Sequence, residues 1–302
     1  MRDAAVVRGT QSLVHMLGAC WGRPNLLLLE LGWRWSFGIP ALAFLIYAAV
    51  HVLGPLPLRD TGIYNLSLQN PKDAAEQVAS AVALVLPPAV AVGRWAGPAL
   101  AIAWAIASGL GRSLVLKRLD REMHFARITL IALQLFRLLA LGTAFAAWWF
   151  ALRWAAVRTL SQSPPNLVGY SAWVICLSLG AFAAWAFVSW IFSIAPLLAM
   201  LEGTSVFGSL ARSFRLGPLA GKLVEVNLVL SIVKLALIVL AMVFSAIPLP
   251  FTTSMSGPPL YLWWLAVSIL YFVASDFFQV ARLAVFVQLW RMYHPLLHSS
   301  AV

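Results

Sequence analysis

Charged residues are scarce in this chain. Only 10% of its 302 residues are Asp, Glu, Lys or Arg and 62% are hydrophobic, whereas soluble domains carry about 25% charged residues. The mean hydropathy is +0.88. A soluble core has no room for so much apolar surface, and the longest polar pieces, residues 1–34 and 53–80, are too short for a separate domain. The composition predicts a single integral membrane domain covering residues 1–302.

Recognisable catalytic patterns are missing as well. Neither G-x-S-x-G nor H-E-x-x-H occurs, and the glycines around Gly109 favour close helix packing over a phosphate-binding loop. The two cysteines, Cys20 and Cys176, lie at different predicted depths, so we expect neither a disulfide nor a metal site. We therefore expect no enzymatic activity, no catalytic residues, no cofactor and no bound metal.

Long apolar runs are what the sequence has in abundance. A helix needs roughly 20 apolar residues to cross the hydrocarbon layer. Six runs qualify, at residues 35–52, 97–115, 125–150, 172–198, 224–247 and 260–288. The run 78–92 is short and contains Pro87 and Pro88, which remove two backbone donors from a helix. We interpret it as an interfacial or re-entrant segment, or as the bent first part of a long second helix.

Basic residues collect in every second loop, which predicts the orientation. Lys and Arg near the ends of spans favour the cytoplasmic side, and the basic loops are those at residues 112–121 and 212–222. The opposite side keeps few cations, namely Arg59, Lys72, Arg94, Arg153 and Arg158. Both termini are therefore predicted to be cytoplasmic. The net charge of +11 needs no nucleic acid, because a basic inner collar facing anionic lipid headgroups explains it.

Two segments on the predicted inner side have the pattern of interfacial amphipathic helices. In residues 204–216, Val206, Phe207, Leu210 and Phe214 recur at helical spacing, with serines and arginines elsewhere on the helix. Thr204 or Ser205 is suited to cap this helix. Residues 23–35 form a second such segment, in which tryptophans and arginines are expected at headgroup level. An anchoring elbow is the simpler interpretation of both, and a partner-binding surface is the alternative.

The run Ala195–Gly203 and its continuation through residues 209–216 resemble the fourth-helix exit and elbow of a broad bacterial superfamily of six-helix integral membrane proteins. The closing pattern Ala281–Arg291 is similar to the tail of their last helix. That superfamily includes the membrane domain attached to some glycerophosphodiester phosphodiesterases, together with stand-alone proteins of unknown role. The resemblance implies a six-helix fold in a bacterial cytoplasmic membrane and no defined activity, because the hydrolase chemistry of that family belongs to a separate soluble barrel.

Charged residues within the spans are the candidates for a functional site, because a charge at mid-bilayer costs about 2.5 to 3.5 kcal/mol. Arg137, Lys234 and Asp276 are predicted to lie at a common depth, roughly 15 to 18 Å from the basic side. Asp276 is the natural partner of either cation, and Gln134, Asn227, Ser275 and Gln279 are available to complete a network. This intramembrane polar cluster is either a proton-linked or substrate-binding site or a structural ion pair between the last two spans.

The sequence thus predicts an all-α polytopic membrane protein, a bundle of six transmembrane helices with interfacial amphipathic helices. The leading functional hypothesis is a non-enzymatic component of the cell inner membrane that assists transport, lipid organisation or assembly of a membrane complex. Its partners would be the lipid bilayer and a second copy or another membrane protein. The alternative is a transporter with a polar site around Asp276.

Overall fold

The structure is a computed structural model that describes residues 17–18, 20–65, 70–161, 163–164, 166–214, 216, 218–247 and 257–299. Within these ranges it contains no strand and seven α-helices: α1 (Pro24–Leu53), α2 (Pro71–Leu119), α3 (Arg127–Leu160), α4 (Leu167–Glu202), α5 (Val206–Ser213), α6 (Pro218–Ala246) and α7 (Pro258–Ser299). All except α5 are long and apolar enough to cross a membrane. The prediction of an all-α multi-pass membrane protein is confirmed.

The helices extend well beyond most of the predicted spans. Residues 24–34, predicted as an interfacial segment, belong to α1, which is continuous as far as Leu53. Four helices begin at a proline, Pro24, Pro71, Pro218 and Pro258, where the missing N–H is not needed and φ is already helical. Hydropathy marks only the part of a helix that is apolar, so it underestimates the helical length on both sides of the membrane core.

Helix α2 decides between the two interpretations of residues 78–92: they are the first part of a long second helix, and the interpretation as a separate interfacial or re-entrant segment is wrong. These residues continue into residues 97–115 as one helix of 49 residues, with Pro87, Pro88 and Pro98 inside it. Apolar helices tolerate such prolines because local adjustments satisfy the freed carbonyls, and leaving the helix altogether would expose more backbone. At 1.5 Å per residue α2 is about 74 Å long, so it extends past a bilayer of about 45 Å.

The chain divides into two compact units. The smaller unit is Trp33–Ser108, and the larger unit joins Met1–Gly32 to Gly109–Val302. In the smaller unit the ring centroids of Trp33 and Phe37 lie 5.8 and 5.3 Å from that of Trp104, and Phe44 lies 5.8 Å from Trp95. Aromatic pairs at these separations attract each other beyond their burial, and they connect α1 to α2 within this unit.

In the larger unit α3 packs against α4 and α5, and α6 packs against α7. The buried residues of α4, α6 and α7 lie in residues 191–200, 219–230 and 276–290. We call residues 114–127, 191–214, 219–230 and 276–291 the basic end, because Arg118, Arg121, Arg212 and Arg291 belong to it. We call residues 167–190, 231–246 and 258–275 the open half, since none of them is buried.

The predicted amphipathic elbow is confirmed by α5. Ser205 caps it, and its Oγ accepts a hydrogen bond from the N–H of Gly208 at 3.3 Å. Ser209 and Ser213 are buried, and their hydroxyls donate to the carbonyls of Ser205 and Ser209, both at 2.8 Å. The phenylalanines take the opposite side, with Phe207 exposed by 72% and Phe214 by 64%. The helix therefore turns its small residues to the protein and its large apolar residues outward.

Candidate functional site

A polar stripe runs along each of the two facing helices α6 and α7. On α6 it consists of Asn227, Ser231 and Lys234, and on α7 of Ser275, Gln279 and Arg282. Both sets follow the spacing i, i+4, i+7, which places three side chains on one face of a helix. Because α6 and α7 are antiparallel neighbours, the start of one stripe lies level with the end of the other.

The six polar residues line one small cavity, together with Leu230, Leu237 and Phe278. Its volume is about 50 Å³, which leaves room for one or two water molecules. Arg282 connects the two helices, donating from Nη2 to Oε1 of Gln279 at 2.6 Å and from Nη1 to Oδ1 of Asn227 at 3.4 Å. The cavity thus combines two cationic side chains with amide and hydroxyl groups inside an otherwise apolar helix pair.

Asp276 does not line this cavity, although its neighbour Ser275 does. The Asp276 side chain is only 4% exposed. One turn further along α7, Val280 and Ala281 pack in a cluster with Cys20 and Leu26. Asp276 and Lys234 each take part in at least one interaction within the described structure. Lys234 and Arg282 are therefore the two charged residues of the cavity wall, and the ion pair predicted between Asp276 and Lys234 stays a prediction.

Arg137, the third predicted member of the cluster, is not on the cavity wall either. It is half-buried on α3, a helix that packs against α4 and α5. The preceding residue, Phe136, meets Phe207 of α5 at a centroid distance of 5.7 Å. Equal predicted depth did not bring Arg137 to the α6–α7 pair, because depth specifies a level in the membrane and not a neighbour.

A second polar arrangement occupies the loop between α2 and α3 at the basic end. Nζ of Lys117 donates to the carbonyls of Arg121 and Met123, both at 2.6 Å. Nη2 of Arg291, from α7, lies 2.5 Å from Oδ2 of Asp120 and 2.7 Å from Oε2 of Glu122. The loop is therefore held to α2 by one cation and to α7 by another.

The exit of α4 is attached to the same loop. The N–H of His124 donates to the carbonyl of Met200 at 2.8 Å, and Gly203 ends α4 with a φ of +63°. A Cβ at Gly203 would lie 3.3 Å from the His124 ring, so glycine suits both the left-handed backbone and the close approach. Glu202, largely buried, forms an ion pair with Arg212 of α5. These contacts fix the angle between α4 and the elbow helix.

The two cysteines are free and differ in their surroundings. Cys20 is buried in the cluster with Leu26 and Ala284, and this burial raises the pKa of its thiol despite the opposing charge of Arg23. A buried thiol with a raised pKa remains neutral and unreactive. Among the described residues no group of three His, Cys, Asp or Glu side chains is arranged to hold a metal ion.

No family model, no curated protein and no solved structure matches this chain. The resemblance to the six-helix superfamily therefore stays a prediction. The two segments that suggested it are packed parts of the basic end, since Ala195, Ala199 and Met200 are fully buried in α4 and Ala281 and Val285 in α7. Short runs under such packing constraints use the same few small and branched residues in many membrane proteins.

Sequence reasoning missed the position of Arg282 and the contribution of Ser231. Arg282 hydrogen-bonds Asn227 and Gln279 inside the helix pair, and Ser231 lines the cavity beside them. The signal was present in the sequence as the two stripes at i, i+4, i+7, which is more specific than the depth of any single charge. Reading both helices for matching polar stripes would have identified the cavity residues.

Proposed function

We propose that the protein is a non-enzymatic, multi-pass component of the bacterial cytoplasmic membrane that organises lipid at its basic end. One observation carries the proposal. On α5 the serines face the protein, while Phe207 and the C-cap residue Phe214 face outward beside Arg212. A short helix with exposed phenylalanines and neighbouring arginines is suited to the boundary between headgroups and acyl chains, where the rings enter the apolar layer and the cations meet phosphates.

The basic end then faces the cytoplasm, and both termini lie on that side, as the distribution of Lys and Arg favours. The ion pair between Glu202 and Arg212 attaches α5 to the end of α4. This attachment favours a helix held in a fixed position at the interface. A basic helix held in this way would concentrate anionic lipid next to the spans. A second copy or another membrane protein is the natural partner for a component of this kind, since the open half leaves large apolar faces for helix contacts.

Lipid enrichment tests this proposal. The protein is extracted from mixed phosphatidylcholine and phosphatidylglycerol membranes, and the retained lipid is quantified by mass spectrometry. We expect phosphatidylglycerol to be enriched over the bulk membrane, and the enrichment to fall in a Phe207→Ser/Phe214→Ser variant. Phe182→Ser/Phe187→Ser is the matched control, because both rings are exposed in the open half. Retained lipid of bulk composition in the wild type would overturn the proposal.

Orientation is tested separately by labelling single cysteines in a Cys20→Ala/Cys176→Ala background. We expect cysteines at Ser163 and at Arg121, both exposed, to react from opposite sides of the membrane. Ser209 is a poor labelling position because it is fully buried. Reaction of both positions from the same side would contradict the six-span orientation.

A transporter is the second candidate, and the polar cavity between α6 and α7 favours it. Because the cavity holds about 50 Å³, the cargo that fits without rearrangement is a proton or a small ion moving with water. Lys234 and Arg282 would set the charge preference. In proteoliposomes with an internal pH-sensitive dye, flux above empty vesicles that disappears in Lys234→Met would support this function, and absence of flux in the wild type would exclude it for protons.

A further inference from the structure

A pocket of about 460 Å³ lies between the start of α1 and the part of the basic end where α2 finishes. Asn25 and Leu29 of α1 form one wall, and Leu114, Lys117, Arg118 and Arg121 form the other. All six residues belong to the larger unit. The volume falls within the range of about 300 to 1,000 Å³ that small-molecule sites occupy, and no acidic residue lines the pocket.

The pocket is polar at one end and apolar at the other, and the helix geometry explains why. Leu114, Lys117 and Arg118 follow i, i+3, i+4, so they lie on one face at the end of α2, and Arg121 follows in the loop. Asn25 and Leu29 are separated by four residues on α1. Each leucine lies about 5 Å deeper along its helix than the nearest polar wall residue, at 1.5 Å per residue. An amphiphile fits such a gradient, whereas a soluble anion needs only the polar part.

The two acids that flank Arg121 in the sequence are already engaged. Asp120 and Glu122 of the same loop both pair with Arg291. Lys117 uses two of its three donors on the carbonyls of Arg121 and Met123, so it mainly positions the loop.

Arg118 and Arg121 are in a different situation. Both are exposed, and no hydrogen bond or ion pair of their side chains occurs within the described part of the chain. Arg291 has taken the neighbouring carboxylates, so these two guanidinium groups remain for an external anion. Guanidinium groups suit phosphate because their planar donors bind its oxygens in pairs.

We propose that this pocket is a binding site for an anionic phospholipid. Arg118, Arg121 and the amide of Asn25 would bind the phosphate and headgroup, and Leu29 and Leu114 would contact the start of an acyl chain. The first turn of α1 adds a favourable positive helix end beside Asn25. Basic pockets between helices on the cytoplasmic side are a recognised mode of lipid binding. The inference rests on the proposed function and assigns it a specific site.

Native mass spectrometry on the full chain in detergent tests the site, with dioleoyl phosphatidylglycerol and dioleoyl phosphatidylcholine as probes. Because a cation near the surface contributes about 1 kcal/mol to anionic lipid binding, we expect Arg118→Gln/Arg121→Gln to weaken phosphatidylglycerol binding about thirtyfold. Arg94→Gln/Arg153→Gln removes the same charge from exposed positions predicted to face the other side, and it should change binding less than about twofold. Arg118→Lys/Arg121→Lys should retain most of the affinity.

The outcomes separate the site from the general function. A wild type that prefers phosphatidylglycerol and a glutamine variant that binds it equally well would overturn the site and leave the proposed function intact. A wild type without preference would overturn both. If inorganic phosphate alone bound as tightly as the lipid, the ligand would be a soluble anion and the lipid assignment would be wrong. Should the double variant not fold, Arg121→Gln alone decides, with an expected loss of about fivefold.

Discussion

The basic end and the open half of the larger unit are built from equally apolar helices, yet they pack differently. Residues 191–200 of α4 include fully buried Ile194, Ala195 and Ala199, whereas residues 167–190 of the same helix contain no buried residue. Helices α6 and α7 show the same change along their length. This difference in burial does not follow from hydropathy, because lipid tails are as apolar as leucine. Packing between membrane helices depends instead on shape and polar contacts.

The open half is held mainly by tryptophans. The indole N–H groups of Trp263 and Trp264 donate to the carbonyls of Phe244 and Ser245 at 2.8 and 3.1 Å. Those carbonyls belong to the last turn of α6, where a helix has no partners of its own. A cavity of about 230 Å³ lined by apolar residues separates the helices below these contacts. The basic end, by comparison, is closed by ion pairs, backbone contacts and small residues.

Asp276 lies where the two regions meet, and its replacement is expected to have the largest effect. Asp276→Leu would leave the cation of the predicted ion pair without its counter-charge, which commonly costs about 3 to 5 kcal/mol. Since Lys234 lies level with neighbouring Ser275 across the helix pair, the double change Asp276→Leu/Lys234→Leu should recover much of that loss. Thermal unfolding in detergent measures both.

The matched cycle replaces Arg137 in place of Lys234. Because Arg137 is on α3 and not on the cavity wall, we expect additive effects with Asp276→Leu. Strict additivity in the Lys234 cycle as well would contradict the pairing and assign Asp276 a different role.

Removing a large side chain compares the packing of the two regions directly. Phe286→Ala deletes a buried ring at the basic end and should destabilise by about 3 kcal/mol, because the space cannot be refilled. Phe182→Ala removes a ring that is 72% exposed in the open half, where lipid takes its place, and should cost less than about 0.5 kcal/mol. Equal losses in melting temperature experiments would show that the two regions pack alike.

Adding a methyl group compares helix contacts. A Cβ at Gly109 would lie 2.5 Å from Cγ1 and 2.9 Å from Cα of Ile131, so Gly109→Ala must displace backbone and should cost about 1 to 3 kcal/mol. Gly142, in the middle of α3, has open space, so Gly142→Ala should be neutral or stabilise by up to about 1 kcal/mol through helix propensity. Thermal unfolding of both variants checks the difference, and a stable Gly109→Ala protein would contradict the close contact.

The smallest effect is expected from the tryptophan contacts of the open half. Trp263→Phe removes the hydrogen bond to Phe244 and should destabilise by about 1 kcal/mol. Trp149→Phe is the control, because that indole lies exposed on α3 without a hydrogen-bond partner among the residues described. Unfolding monitored by tryptophan fluorescence measures both changes. A loss for Trp263→Phe as large as that for Phe286→Ala would mean that the open half is as cooperative as the basic end.

Several features were readable from local sequence alone. The spans follow from length and apolarity, and the elbow helix follows from helical spacing and a serine cap at Ser205. The close packing predicted for Gly109 is confirmed by its contact with Ile131. Each of these depends on one helix or one short segment, where residue order and the helical period are sufficient.

The polar cluster shows the limit of predicting contacts from one helix at a time. Arg137, Lys234 and Asp276 are predicted to share a depth, and of the three only Lys234 lines the cavity. The sequence also left open whether α2 continues through Pro87 and Pro88, as it does in the structure. A proline usually ends a helix in water, whereas it is tolerated within apolar surroundings.

The sequence by itself determined the class of the protein, the number of its long helices and the clustering of its cations, because these depend on transfer free energies that add along the chain. Only the tertiary structure decided which helix faces which neighbour. In the folded protein Arg291 forms ion pairs with Asp120 and Glu122, and Arg282 hydrogen-bonds Asn227. Asn25 lines the same pocket as Arg118 and Arg121. Rotation of a helix about its axis changes none of its transfer free energy to lipid, so contacts between side chains far apart in sequence select the rotation.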